Sequence, residues 1–185
     1  MTKDYFFSAF IRLTALSIVF VLLWLIADIL IKGMGNINWS FLSEHPLDSG
    51  RAGGIVTILY SSVLVLFGAM VFAIPLGIGV AIWLSEFVRD HDRRFGYYIR
   101  LSLVVLSGVP SIVFGLFGNA FFCIYLGLGF SLLSGSLTLA CMILPVFITT
   151  CEIGIREVRD EWRLGAFAVG MNKTSTLFHI LLPSA

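Results

Sequence analysis

The chain has 185 residues, 58% of them apolar and only 12% charged. Soluble domains run nearer 45–50% apolar and about 25% charged, so a soluble fold of this size could not hide so much apolar surface; disordered, collagenous and disulfide-stapled secreted chains are excluded as well. With 12 basic and 11 acidic side chains the net charge is +1, which leaves no global field for nucleic acid, and the composition is that of a membrane protein.

An uncharged run from Leu13 to Ala27 continues through Asp28 to Ile31. Its nineteen residues, at about 1.5 Å each, just cross a hydrocarbon core of about 30 Å. Lys3 and Arg12 precede it as they would in a signal peptide, but the run is long and no small-x-small site follows closely, so it reads as an uncleaved first span. Lys32 to Gly53, with Asn36, Asn38, Pro46 and several glycines, reads as an irregular external loop. Ala52 to Ser85 carries no charge and supplies a second span. Glu86 to Arg100 is a compact charged connection holding Arg89, Arg93, Arg94 and Arg100.

Leu101 to Cys151 is 51 residues without a formal charge. As one straight helix it would reach about 75 Å, so it must fold back, and Gly127 and Gly129 mark the turn. The expected organisation is therefore an N-terminal segment, first span and external loop over 1–53, a membrane core over 54–150 with spans near 54–84, 101–126 and 130–149, and a charged tail over 151–185. Ten of the 12 Lys and Arg then fall on one side of the membrane and two on the other, which places the N-terminus and the tail in the cytoplasm.

Ala69, Ala73, Gly77 and Ala81 recur every four residues along the second span, and Ser107, Ser111 and Gly115 do so along the third. Such stripes let helix backbones approach closely in lipid, either as plain bundle packing or as faces that slide when a pathway opens. Pro75 and Pro110 bend their spans, and Pro145 lies near the inner end of the fourth. Asp28 is the one formal charge inside a span; an i,i+4 pair with Lys32 accounts for it more simply than a proton relay.

The histidines His45, His91 and His179 have no metal-site or triad spacing, and Cys123, Cys141 and Cys151 read as small core residues. Gly165-x-x-x-x-Gly170 followed by Lys173-Thr174 imitates a phosphate loop, but the lysine is two positions late and no strand precedes it. The chain is therefore expected to be non-enzymatic, without a cofactor, and unable to hydrolyse ATP by itself.

In the tail, Ile155, Val158, Trp162, Ala166 and Val169 predict one apolar helix face over 152–169, opposite Arg156, Glu157, Arg159, Asp160, Glu161 and Arg163. Gly170 ends that helix, and Asn172 or Thr174 caps a second one running to Leu182 before Pro183. The pattern fits an amphipathic helix lying on membrane lipid, or a docking surface for a soluble partner.

Gly170, nine residues, then Ile180-x-Leu182-Pro183 resembles the second half of the EAA loop of ABC-importer permeases; where that motif has Glu-Ala-Ala, this chain has Leu164-Gly165-Ala166, and only the last alanine matches. Gly108-Val-Pro-Ser-Ile-Val-Phe-Gly-Leu-Phe-Gly118 resembles the signature of the phosphate-specific permeases. Gly53-Gly54-Ile55, Pro75-Leu-Gly-Ile-Gly79, Ala81-Ile-Trp-Leu-Ser-Glu86 and Phe130-Ser-Leu-Leu-Ser-Gly-Ser-Leu-Thr-Leu139 are similar to the PstA branch. The resemblance covers about residues 50–185.

It implies an all-α, polytopic helical bundle with the MetI-like core of ABC importer permeases, four spans present and about two missing, so that a truncated form, a fragment or the product of an interrupted gene is expected. It further implies a multi-pass subunit of the bacterial cytoplasmic (inner) membrane in an ATP-driven phosphate importer. The implied partners are ABC ATPase subunits, a second, PstC-like permease subunit and an extracytoplasmic phosphate-binding protein. By the same resemblance Leu164, Gly165, Ala166, Gly170, Ile180, Leu182 and Pro183 form the ATPase-coupling surface, and Gly108, Pro110 and Ser111 lie near the pathway. A permease for another small solute (sulfate or molybdate) and a non-transporting membrane scaffold or remnant are the alternatives.

Overall fold

A computed structural model describes residues 2–88 and 93–185; Arg89 and His91 of the charged connection lie outside the described residues. The chain divides into two compact units, one ending at Tyr60 and the other starting at Ser61.

In the first unit, helix α1 (Thr2–Met34) contains an apolar stretch, Phe10–Met34, long enough to cross a membrane. Its large side chains, from Phe10 to Met34, are exposed, as they must be where lipid is the solvent. Lys32 Nζ donates to Asp28 at 2.8 Å, the i,i+4 pair expected of that carboxylate. The following segment is more ordered than an irregular loop. Asn38 caps a short helix, α2 (Trp39–Ser43), its side chain accepting from the Phe41 N–H at 2.7 Å. Two-residue strands β1 (Pro46–Leu47) and β2 (Ala52–Gly53) then pair antiparallel around a 3₁₀ turn over Asp48–Gly50. His45 Nδ1 lies 2.7 Å from the Thr57 hydroxyl, tying this hairpin to the start of helix α3 (Val56–Ile82).

In the second unit the small-residue stripe of α3 works as expected: Ala69, Ala73, Gly77 and Ala81 are all buried. α3 runs on through a π-helical turn over Trp83–Phe87, closed by the Val88 N–H on the Trp83 carbonyl, so that Val56–Phe87 forms one apolar stretch. Helix α4 (Arg93–Ser107) follows, then helix α5 (Ser111–Gly118) and a second π-helical turn over Asn119–Tyr125.

The segment expected as one span near 101–126 is not a single rod, because the chain bends by 96° between Ser107 and Ser111. Pro110 has no N–H to continue the ladder and disfavours helical backbone at Val109. The N–H groups of Gly108 and Val109 turn back onto the Val105 and Leu106 carbonyls at 3.2 and 3.1 Å. The break also cuts the second stripe: all three residues, Ser107, Ser111 and Gly115, are exposed, with Ser107 left on α4 while Ser111 and Gly115 stay together on α5. The close approach of α5 is made by Gly118, where a Cβ would lie 2.1 Å from Thr138 Oγ1.

Gly127 and Gly129, at φ 68° and 61°, reverse the chain where expected. Ser131 and Ser134 then form a reciprocal capping box at the start of helix α6 (Leu132–Glu157), which extends eight residues past the expected inner end and keeps Pro145 buried within it. α4 and α5 both pack along α6. The core is Ala81, Leu84, Val88, Leu103, Ile148 and Ile155, with Ala69, Ala73 and Ala140 forming a second cluster. Among the described residues three helices are long and apolar enough to cross a membrane, four if the bent pair counts as one span; this is an all-α membrane protein.

Candidate functional site

The tail is built from short pieces. α6 ends at Glu157, Val158 and Arg159 are extended (ψ 125° and 135°), and helix α7 (Asp160–Ala168) begins with Asp160 and Glu161 in its first turn, where the helix dipole favours acids. Gly170, at φ 79°, makes the left-handed turn that ends α7. Asn172, rather than Thr174, caps the next helix, α8 (Lys173–Thr176), accepting from the Ser175 N–H at 2.7 Å. A π-helical turn over Leu177–Leu181 and a last helical turn, α9 (Leu182–Ser184), complete the tail.

The continuous helix expected over 152–169 is therefore corrected to two helices with an extended hinge at Val158–Arg159. The apolar face divides with it: Ile155, Val158 and Ala166 are buried, whereas Trp162 and Val169 are exposed.

The side chain that changes most from its expected place is Arg163. Assigned by periodicity to the polar face, its side chain is only 11% exposed. Nη2 donates to Glu86 Oε1 and to the Ile155 carbonyl, both at 2.9 Å, and Nη1 donates to the Val158 carbonyl at 2.6 Å and to Asp160 at 3.2 Å. The two carbonyls belong to the end of α6, where the last helical C=O groups lose their intrahelical partners. One guanidinium thus caps α6, sits in α7 and binds the carboxylate carried by the π-helical turn after α3. A planar fork of five donors suits this role, and a lysine would not.

A second ionic node lies at the same end of the bundle. Glu152, inside α6 and 5% exposed, accepts from Arg100 Nε at 2.6 Å and pairs with Arg156 at 3.1 Å, while Arg100 Nη2 donates to the Leu84 carbonyl at 2.8 Å. Neither node was expected. The one available signal was the position of Glu86, Arg100 and Glu152 at the borders of long charge-free runs, where a charge lies within reach of a neighbouring helix end.

The residues expected on the coupling surface do not form one patch. Gly165, Ala166 and Ile180 line a shallow cleft of about 480 Å³ together with Arg159, Trp162 and Val169. Leu164 faces a different cavity of about 570 Å³, walled by Phe87, Phe167, Leu177, Phe178 and Leu181 and edged by Glu86 and Arg163. Gly170 and Pro183 are exposed, and Leu182 packs against the core. Of the expected pathway residues, Gly108 and Pro110 form the 96° bend. Ser111 opens onto a cavity of about 500 Å³ between α5 and α6, lined also by Asn119, Ser131, Ser134 and Thr138.

Residues 73–185 match the family described as the binding-protein-dependent transport system inner membrane component. The chain is 32% identical over 173 residues to the "Probable ABC transporter permease protein YqgI" of Bacillus subtilis, covering 94% of this chain and 58% of that protein. It is 30% identical over 189 residues to the "Phosphate transport system permease protein PstA 1" of Mycobacterium tuberculosis, covering 100% of this chain and 60% of the relative. The PstA of Mycobacterium leprae is 32% identical over 174 residues, with 89% and 54% covered. The chain thus spans little more than half the length of these relatives. No solved structure matches it.

Proposed function

Because the chain belongs to the family of binding-protein-dependent transport system inner membrane components, we propose that it is the membrane permease subunit of an ATP-driven importer whose solute is phosphate. In this reading it is multi-pass in the cytoplasmic membrane, with its N-terminus and tail in the cytoplasm. It works with a second, PstC-like permease subunit, an external phosphate-binding protein and a separate pair of ATPases, which carry out the hydrolysis.

The observation that carries the reading is α7 with its Gly170 turn: a short helix beyond the membrane core, presenting Leu164, Gly165 and the exposed Trp162, yet anchored to the ends of α3 and α6 through Arg163. An exposed helix with a buried anchor is suited to receive a push from a soluble partner and pass it to membrane helices. Leu164, Gly165, Ala166, Gly170, Ile180, Leu182 and Pro183 are assigned to the coupling segment, with Ala166 and Leu182 as its packed inner side, and Gly108, Pro110 and Ser111 to the neighbourhood of the pathway, where a bent, proline-broken helix frees backbone groups to meet water or solute.

The test deletes residues 164–170 from the full-length gene product assembled with its ATPase. Loss of uptake with normal membrane insertion supports coupling through this segment, and normal uptake overturns it. Competition by unlabelled phosphate, sulfate and molybdate decides the solute; sulfate or molybdate as the stronger competitor would replace phosphate in the assignment.

A further inference from the structure

We infer that Arg163 is the positioning residue through which a displacement of α7 reaches the membrane helices, by holding Glu86 after α3 and the C-terminal carbonyls of α6 at the same time. The inference rests on the coupling role proposed for α7 and adds the residue and the route.

α7 is separated from α6 by the two extended residues Val158 and Arg159, so the backbone there is a hinge rather than a stiff continuation. A hinge alone would let α7 swing without moving anything else. The Arg163 side chain crosses it. From the fourth position of α7 it bonds Ile155 on the far side of the hinge and Val158 within it, and from the same nitrogen that reaches Ile155 it bonds Glu86, 77 residues earlier in the chain. Glu86 is presented by a π-helical turn, a local widening of the helix that moves side chains out of the regular α register and recurs at functional positions. A rotation of α7 therefore pulls on the last turn of α6 and on the end of α3 together.

Two further features separate this node from a static brace. Its side chains are partly open, at 11% for Arg163 and 23% for Glu86, and they border the 570 Å³ cavity, which leaves space beside them. The guanidinium is also incompletely satisfied: Nε is buried without a hydrogen-bond partner, a cost that a second arrangement of the same fork would relieve. The neighbouring node of Arg100, Glu152 and Arg156 joins α4 to α6 and, through the Leu84 carbonyl, to the turn after α3, but has no member in α7. It serves as the internal control.

The experiment measures ATP hydrolysis and solute uptake on the same proteoliposomes holding the complete importer, with wild type, Arg163→Gln, Arg163→Lys, Glu86→Gln and Arg100→Gln. For Arg163→Gln the expected result is hydrolysis that continues while uptake per ATP falls about tenfold, the scale of a typical coupling free energy. Arg163→Lys recovers only part of the ratio, since an ammonium cannot reproduce the fork. Glu86→Gln lowers the ratio less than Arg163→Gln does, because the bonds to α6 survive. Arg100→Gln lowers thermal stability and leaves the ratio unchanged.

A wild-type ratio in Arg163→Gln, or a fall in its hydrolysis and uptake in step with lost assembly, overturns the inference. A wild-type ratio in Glu86→Gln removes α3 from the route and overturns it as stated. If deleting residues 164–170 abolishes uptake while Arg163→Gln transports at the wild-type ratio, this inference fails alone and the proposed function stands.

Discussion

Arg100 Nε donates to Glu152 Oε1 at 2.6 Å, and the carboxylate it meets is inside the packed second unit, while Arg156 reaches the same oxygen at 3.1 Å from a more open position. The two arginines are not equivalent. Arg100→Met leaves a buried carboxylate with one partly exposed partner and is expected to destabilise the protein by about 3 kcal/mol. Arg156→Met is expected to cost less than about 1 kcal/mol, as exposed pairs do. Thermal unfolding in detergent measures both. Replacing Arg100 and Glu152 together by apolar residues is expected to recover most of the loss, since no lone buried charge remains.

Gly118 lies directly against Thr138 of α6. A methyl group there would meet Thr138 Oγ1, Cγ2 and Cβ at 2.1, 2.4 and 2.7 Å, and a β-branched side chain has few rotamers into which to retreat. Gly118→Ala is expected to cost about 1–3 kcal/mol by overpacking. Gly115→Ala, three residues earlier with open space around it, is expected to be neutral or slightly stabilising. Equal melting temperatures for the two variants would contradict this packing.

Gly170 holds φ at 79°, so any Cβ is strained there. Gly170→Val is expected to cost about 1–2 kcal/mol locally and to lower uptake, with Gly170→Asn closer to wild type because asparagine tolerates the left-handed region. Gly165→Ala, inside α7 with nothing near its missing Cβ, is expected to raise the helicity of this segment. Uptake assays together with proteolysis of the tail would reveal both effects.

The membrane orientation is open to chemical labelling. With Cys123, Cys141 and Cys151 replaced, a cysteine at Ser40 is expected to react with a membrane-impermeant maleimide in intact cells, and one at Val169 only after permeabilisation. The reverse pattern would invert the assignment of the N-terminus and tail, which rests on the distribution of Lys and Arg.

The sequence made legible whatever depends on local chemistry. The stripe Ala69-Ala73-Gly77-Ala81 is buried, Asp28 meets Lys32, Gly127 and Gly129 turn the chain, and Asn172 caps α8. What escaped depends on helix continuity. Spacings of three and four residues place side chains on one face only while the helix is unbroken. The 96° bend therefore parted Ser107 from Ser111 and Gly115, and the extended pair Val158–Arg159 turned Trp162 outward and Arg163 inward. Neither Val158 nor Arg159 is a helix breaker. At the interruption Arg163 bonds the Ile155 and Val158 carbonyls and also Glu86, a partner 77 residues away that no local pattern encodes.

The bend between Ser107 and Ser111 has a consequence for how the chain is made. α4 has 15 residues, about 22 Å of helix, and α5 has eight before its π-helical turn, so neither arm alone reaches across a hydrocarbon core of about 30 Å. Both arms instead lean on α6, which is synthesised after them. Integration of residues 93–125 is accordingly conditional on a downstream helix. A nascent chain stalled before α6 leaves this pair without a resting place in the bilayer and exposed to quality-control proteases.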